Sequence, residues 1–441
     1  APAGGRGAAG GGGSLGPRRA AIRGAETSGE GSMPRRFLFA HANWPAQFGA
    51  LGSWLAEAGH EVVFVTQRED AASDRIEVVR CRNHRDPSAE THPYVRGFER
   101  SVLTGQAFAR AAVSLRERGF APDVTMGHAG TGAALFLKDV FPGALHVPYF
   151  EWHYNWPNAD VTPWDAPGDD LDAAARNRVR NAAIHADFSA GDLRLCPTGF
   201  QARQFPEWMR PGLTVMHDGV DTDLNAPPRD RSILARWGVP EEAEVVTSIT
   251  RGMEPHRGFP EIMRALSALM ARRPELHAFV GGEDRVAYGA PLPEGESWKA
   301  RMLAELPFDH DRLHFTGLLP RREMVALMGA ADAHVYLTVP FVLSWSLLDA
   351  MSCGALVVAS DTAPVREFLA DGETGLLVPM HDPEALAARL EAAIEHAPAL
   401  RAVRAAARAK VVGELDAKRV IWPRKLAWRE AALAAREGGG A

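Results

Sequence analysis

The sequence predicts an α/β chain built on two doubly wound parallel sheets. Three observations lead there. The first folded stretch alternates strand, helix and strand: RFLFA at Arg36–Ala40, a helix over Gln47–Ala58 stopped at Gly59, and EVVFVT at Glu61–Thr66. A second run of the same rhythm begins at Glu244 with EVVTSIT. Within it, Tyr336–Asp361 (YLTVPFVLSWSLLDAMSCGALVVASD) reads as strand end, loop, short helix, sharp stop and strand. Gly354 is placed as a left-handed C-terminal cap, and Ala355–Ser360 has the apolar character of a buried parallel strand.

Length and composition bound the rest. At 441 residues the chain holds two or three domains, and 46% hydrophobic with 24% charged residues is ordinary for a globular protein. A net charge of −6 gives no reason to expect nucleic acid as a partner. Cys81, Cys196 and Cys353 form no CxxC and cannot all pair, which fits a reducing compartment and a cytoplasmic location. No apolar run approaches the roughly 18–20 residues that span a bilayer. Residues 1–32 are rich in Gly and Ala, lack the apolar core of a signal peptide, and cannot offset the entropy of ordering. They read as a disordered leader or an expression-derived segment.

Taken in order, the first half continues with a strand at Ile76–Arg80 and a helix within His92–Arg118 that ends at Gly119. A short strand Asp123–Gly127 leads into His128-Ala-Gly-Thr-Gly and a helix over Ala133–Val140. A histidine at a strand's carboxyl end, before a glycine-rich turn, stands where ligand crevices of α/β folds lie; a structural role is the alternative. The strand His146–Glu151 runs into EWHYNWPNADVTPW, whose aromatics make either a stacking surface or a satellite cluster under a long loop. Then come Leu193–Thr198, a helix at Gly199–Phe205, Leu213–Met216 and the turn His217–Asp221, where Gly219 supplies the geometry. Ala226-Pro-Pro marks a break between domains at about 222–230.

In the second half, strand Glu244–Thr250 is followed by RGMEPHRG at Arg251–Gly258 and a helix at Glu261–Met270. Strand Leu276–Val280 closes on Gly281-Gly-Glu-Asp284, strand Leu313–Thr316 on Gly317-Leu-Leu-Pro, and a helix Glu323–Met328 precedes strand Ala333–Leu337. Asp382-Pro-Glu opens a helix with Asp as N-cap and Pro at its first position. The last segment, Lys418–Arg436, carries Trp422, Leu426, Trp428 and Leu433.

The Tyr336–Asp361 stretch resembles the signature of family 4 glycosyltransferases with the two-domain GT-B fold. That signature is a Glu, seven residues, and a second Glu in an LLEAM-like helix before a small residue and CG. Asp349 stands for the second Glu, and Phe341 falls where the first is expected. The loop HANWPAQFG is similar to that of a subgroup of the family, and His217–Asp221 resembles the NGVD turn that closes the first domain. The resemblance covers nearly all of Arg36–Glu395 and is strongest over Arg251–Val378. It implies two Rossmann-like domains facing a cleft: residues 33–222 on the acceptor side, 223–412 on the nucleotide-sugar side, and 413–441 as a helix crossing back with a flexible tail.

The resemblance also assigns roles. The chain is expected to move a sugar from a nucleotide-diphosphate-sugar donor, UDP- or GDP-linked, with retention and with no cofactor or metal. The acceptor stays open among glycan, lipid-linked, protein and small-molecule classes, and so does a peripheral membrane contact. A sugar-nucleotide epimerase, or a degenerate transferase acting as a binding subunit, is the alternative. His128 would contact the reacting sugar, and Arg251 and Arg257 would hold the diphosphate as its charge develops. Gly282, Glu283 and Leu318 would line the donor rim. Phe341, Val342, Leu343 and Ser344 would form the loop against the diphosphate and sugar. Asp349 would accept from the ribose hydroxyls, or would be a helix carboxylate paired with an Arg. His41, Asn43, Gln47, Trp152 and His153 would face the acceptor; Asn43 alternatively stabilises its own turn. Asp221-Thr-Asp223 lies in the interdomain turn and is set aside as a metal motif.

Overall fold

The structure, a computed structural model, describes residues 33–157, 160, 162–163 and 171–438; the reading of 1–32 lies outside them. Seven strands form the first sheet: β1 (Arg36–Ala40), β2 (Glu61–Thr66), β3 (Glu77–Arg80), β4 (Val124–His128), β5 (Leu145–Tyr149), β6 (Leu195–Cys196) and β7 (Thr214–Val215). All pair in parallel, in the order β3-β2-β1-β4-β5-β6-β7. Their connections carry α1 (Gly49–Glu57), α2 (Arg96–Glu117), α3 (Leu137–Val140), α4 (Leu171–Arg180), α5 (Ala182–Ala190) and α6 (Gly199–Gln204).

The second sheet has six strands: β8 (Glu244–Gly252), β9 (Leu276–Glu283), β10 (Leu313–Gly317), β11 (Ala333–Tyr336), β12 (Val357–Ser360) and β13 (Leu376–Val378). They too are parallel, ordered β10-β9-β8-β11-β12-β13. Between and after them lie α7 (Phe259–Arg272), α8 (Trp298–Glu305), α9 (Arg321–Ala330), α10 (Trp345–Ser352), α11 (Ala363–Arg366) and α12 (Pro383–Glu395). α13 (Arg401–Leu415), a π-helical turn at Ala417–Ile421 and α14 (Trp422–Gly438) end the described chain.

The continuous apolar strands follow from burial on both faces. In β1, Phe37 and Phe39 enter one core with Val62 and Phe64, while Leu38 and Ala40 enter another with Val63 and Val65. A one-residue slip would exchange the two faces, so the register Phe37↔Val62 is fixed by packing. Several sequence expectations shift at the edges. The helix expected over Ala133–Val140 is reduced to Leu137–Val140, because Ala134 backs onto β4: a Cβ on Gly127 would lie 2.8 Å from the Ala134 Cα. α4, α5, α8, α11 and α13 were not read from the sequence. α4 buries none of its residues, and α13 buries Val403, Ala407, Val411 and Leu415 amid alanines and arginines.

The chain passes between the halves twice, at Val220 and at Asp416, and the two passages lie side by side as a parallel bridge. The Val220 N–H donates to the Leu415 carbonyl and the Ala417 N–H to the Val220 carbonyl, each at 2.8 Å. α14 then packs on the first half. The Trp422 ring lies 5.9 Å from that of Trp54, and its indole N–H donates to the Asp218 carbonyl at 3.0 Å. The Asp218 carboxylate accepts from the Tyr149 hydroxyl at 2.8 Å and from Lys425 Nζ at 3.1 Å, all three groups being buried.

Removing one member of such a pair leaves a buried charge uncompensated, at a cost of about 3–5 kcal/mol. Asp218→Ala should therefore lose stability on that scale in denaturant unfolding, and adding Lys425→Met should restore part of it. Equal losses in the single and double variants would show that the pair is not what Asp218 supplies.

Candidate active site

In each sheet the strand order reverses once, between β1 and β4 and between β8 and β11. Loops leaving the carboxyl ends of these strands part there and leave a crevice. The first crevice holds His41, just beyond β1, and His128, the last residue of β4, their rings perpendicular at 5.0 Å. The Asn43 backbone N–H donates to His41 Nδ1 at 2.9 Å, while Asn43 itself is exposed. Burial, and secondarily the nearby His128, pulls the His41 imidazole down to about 3, so it stays neutral. His128 sets Nδ1 against the Ala129 carbonyl at 3.0 Å and Nε2 against Glu151 Oε2 at 3.3 Å. The other oxygen of Glu151 accepts from Gln47 Nε2 at 2.9 Å, and its backbone carbonyl accepts from Gln201 Nε2 at 2.7 Å. Below His128, Gly132 must be glycine: φ is +97°, and a Cβ would come within 2.1 Å of the Ser101 carbonyl oxygen.

Beyond β5 the aromatics divide. The Trp152 ring reaches across to Phe341 of the second half, 4.9 Å away and edge-on. His153 instead packs against α5, stacked on His185 at 5.5 Å and 5.6 Å from Phe205, with Nδ1 3.1 Å from Asn155 Oδ1. The structure thus brings His41, His128 and Gln47 together around Glu151, sets Trp152 against Phe341, and places His153 in the satellite cluster.

The second crevice is lined by the Arg251–Gly258 stretch and the loop after β11. Arg257 is 5% exposed. Its guanidinium donates to Thr338 Oγ1 at 2.6 Å and to the Val342 carbonyl at 3.0 Å, and lies over the rings of Tyr288 and Phe341 at 5.2 and 5.8 Å. Arg251 is exposed at the end of β8. Between them Glu254 is fully buried, and burial raises its carboxyl above the usual range. One of its oxygens accepts the Ala287 N–H, and the other has no protein partner.

Phe341 packs edge-on against Tyr288 at 5.2 Å as well as Trp152. Leu343 turns into the core. Ser344 caps α10, and its own N–H donates to the Tyr336 hydroxyl at 2.8 Å. Gly282 has φ +134°, Glu283 pairs with Arg285 at 2.6 Å, and Leu318 is 62% exposed beyond β10. Asp349 is buried against the linker: Oδ1 accepts from Asn225 Nδ2 at 2.6 Å and from Arg321 Nη2 at 2.7 Å. Among the described residues no group of three or more His, Cys, Asp or Glu is arranged to hold a metal ion.

Three contributors escaped the sequence reading. Glu151 stood inside a run that drew notice for its aromatics, and Glu254 lay in the RGMEPHRG run that drew notice for its arginines. Glu367, beyond α11, accepts the Gly199 and Phe200 N–H groups of the first half at 2.6 Å each. A carboxylate on two free N–H groups at a helix start is a contact that neither segment announces alone.

Residues 58–224 match the model of the glycosyl transferase family 4 group, and residues 230–410 match that of glycosyl transferases group 1. The chain belongs to the family 4 glycosyltransferases. A D-inositol 3-phosphate glycosyltransferase of Corynebacterium glutamicum is 31% identical over 182 residues, 40% of this chain and 41% of that protein. One from a Nocardioides species is 28% identical over 247 residues, 52% of this chain and 51% of its own. The chain thus spans about two fifths to one half of the curated relatives it matches. Among solved structures, a sucrose-phosphate synthase from Thermosynechococcus elongatus superposes with a TM-score of 0.69 at 18% identity, covering 91% of this chain and all of that one. Anabaena HepE in complex with UDP and glucose gives 0.66 at 16% identity, over 90% and 100% of the two chains. These likenesses fix the fold as GT-B. Asp349 is a buried carboxylate, and Phe341 is packed among aromatics.

Burial raises the Asp349 carboxyl from 3.8 to about 6 against the pull of Arg321 and Asn225. The folded protein then binds this proton more firmly than the unfolded chain, so ionisation subtracts stability as pH rises from about 4 to about 6. Asp349→Asn keeps an acceptor oxygen for both partners and removes the titration. Its unfolding free energy should gain on wild type across that window, and parallel pH profiles would show that residue 349 does not titrate there.

Proposed function

We propose that this chain transfers a sugar from a nucleotide-diphosphate-sugar donor, UDP- or GDP-linked, to an acceptor, with retention and without a catalytic metal. One observation carries the reading: an arginine-bearing loop at the second crevice and an imidazole–carboxylate group at the first, joined by the Trp152–Phe341 contact. A departing diphosphate builds negative charge, and cations held in place before reaction stabilise it without reorganisation. Arg257, fixed by Thr338 and Val342, is such a cation, with exposed Arg251 as its mobile partner. Gly282, Glu283 and Leu318 form the rim on which the base lies, and the main chain of Phe341–Ser344 passes the diphosphate. Asp349 has one oxygen committed to Asn225 and Arg321, so ribose binding falls to the other. His41, His128, Gln47 and Trp152 face the transferred sugar and the acceptor. The donor phosphate takes the acceptor proton as the bond forms on the face that the diphosphate leaves.

The UDP in the HepE structure supports a uridine donor. The names of the curated relatives, which include a phosphatidyl-myo-inositol mannosyltransferase of Mycolicibacterium smegmatis, support a polyol phosphate or lipid-linked acceptor. No helix among the described residues is long and apolar enough to cross a membrane. A cytoplasmic enzyme that meets its acceptor at the membrane surface fits these points. Phe341, lodged among aromatics where the family signature has a carboxylate, favours one rival: a degenerate transferase that binds the donor and does not turn it over.

A ligand that binds only the folded state raises its melting temperature, so a screen of UDP-, GDP-, ADP- and dTDP-sugars should single out one base. Arg251→Ala should then weaken the selected nucleotide by about 1.5–3 kcal/mol with folding unchanged, the scale of a hydrogen bond to a charged group. Unaltered nucleotide affinity in that variant would remove Arg251 from the site. Donor binding without product from any acceptor would favour the degenerate reading.

A further inference from the structure

Neither ring nitrogen of His128 meets a donor. Nδ1 faces the Ala129 carbonyl oxygen at 3.0 Å, and Nε2 faces Glu151 Oε2 at 3.3 Å. A neutral imidazole has one N–H and one lone pair, so either tautomer would set a lone pair against oxygen. Only the doubly protonated ring satisfies both contacts while Glu151 is a carboxylate. Two features favour that carboxylate: its side chain is 30% exposed, and Gln47 Nε2 donates to its second oxygen at 2.9 Å. We propose that Glu151 is a positioning residue that holds His128 as an imidazolium, so that the first crevice presents a positively charged ring to an anionic donor. The proposal rests on the transferase reading for its use, not for its existence.

The surroundings agree from every side. From the end of β1 comes His41, neutral and perpendicular to the ring. From β5 comes Tyr149, 5.7 Å away, with Asp218 and Lys425 paired behind it. From α5 comes Asp187, one oxygen of which takes the Gly130 N–H at 2.7 Å while burial pushes its carboxyl up to about 7. Gln47 is neutral. Burial by itself would drag His128 down; Glu151, then the Ala129 carbonyl and Asp187, outweigh it and hold the imidazole above its ordinary range. Glu151 in turn is held from two sides, by Gln47 at its side chain and by Gln201 at its backbone. Two histidines of one crevice are thereby set apart, one neutral and one charged.

The direct test is titration of the protein labelled with carbon-13 at histidine Cε1, with the His128 signal assigned by its loss in His128→Asn. In wild type the ring should titrate above the ordinary value of about 6.5. In Glu151→Gln, which keeps the shape and loses the charge, burial should prevail and the titration should fall by about 1–3 pH units. Glu151→Asp, with the charge drawn back by one methylene, should lie between and serves if the Gln variant does not fold. UDP binding by calorimetry supplies the second arm, each variant referred to His128→Asn so that the ionisation of UDP itself cancels. Wild-type affinity should drop by roughly three- to tenfold as pH rises through the His128 titration, the scale of one nearby screened charge. In Glu151→Gln that drop should move to lower pH with the ring. An unmoved His128 titration would overturn the pairing, whether or not the protein proves to be a transferase. A titration that moves while UDP binding ignores it would overturn the claim that the charge serves the donor.

Discussion

The carboxylate of Asp218 is the contact on which the arrangement of the molecule depends. It sits in the turn that ends the first half, yet its partners come from the middle of the first sheet and from the last helix. Tyr149 supplies a hydroxyl, Lys425 an ammonium, and Trp422 an indole N–H to the carbonyl of the same residue. A charge taken out of water is tolerable only when its partners are fixed and its lone pairs filled. That requirement pins α14 to the first half and therefore fixes the second passage of the chain beside the first. The two sheets are built independently, but their facing is set here.

The double winding was legible because it is written in side-chain burial. RFLFA and EVVFVT have no polar face, which excludes a half-solvated strand, and Gly59, Gly119 and Gly354 mark the helix stops with positive φ. Short strands were over-extended: Leu193–Thr198 pairs only at Leu195–Cys196, because a strand ends where its pairing with its neighbours ends, not where its apolar residues do. α4 escaped because alanine and arginine carry helix propensity without a buried face, and α13 because its buried Val403, Ala407, Val411 and Leu415 are interleaved with alanines and arginines.

The site was legible where a residue stands at a strand end. His41, His128, Arg251 and Arg257 stand at or beyond the carboxyl ends of their strands, the edge to which topology carries them. What sequence did not disclose is how each is occupied. Arg257 spends two donors on its own fold, Leu343 joins the core, and His153 stacks on His185. The Asp349 alternative of an Arg partner is realised, with Asn225 added from the linker. Such partners are long-range: Asn225 and Asp349 stand 124 positions apart, and no local pattern encodes their meeting.

The twin passages at Val220 and Asp416 have a mechanical meaning. Two backbone strands bonded side by side form a short stiff ribbon, and rotation about such a ribbon moves everything distant from it. Contacts beside this axis, such as Asp218 with Lys425, shift little when the halves turn. Those farther from it include the Glu367 fork, the Trp152–Phe341 ring pair and the His256–Asp160 pair. The protein therefore resembles a purse, with its seam sewn in buried charge and its clasp made from separate side-chain contacts. Parting the halves there then requires only that these contacts give way, while both sheets stay whole.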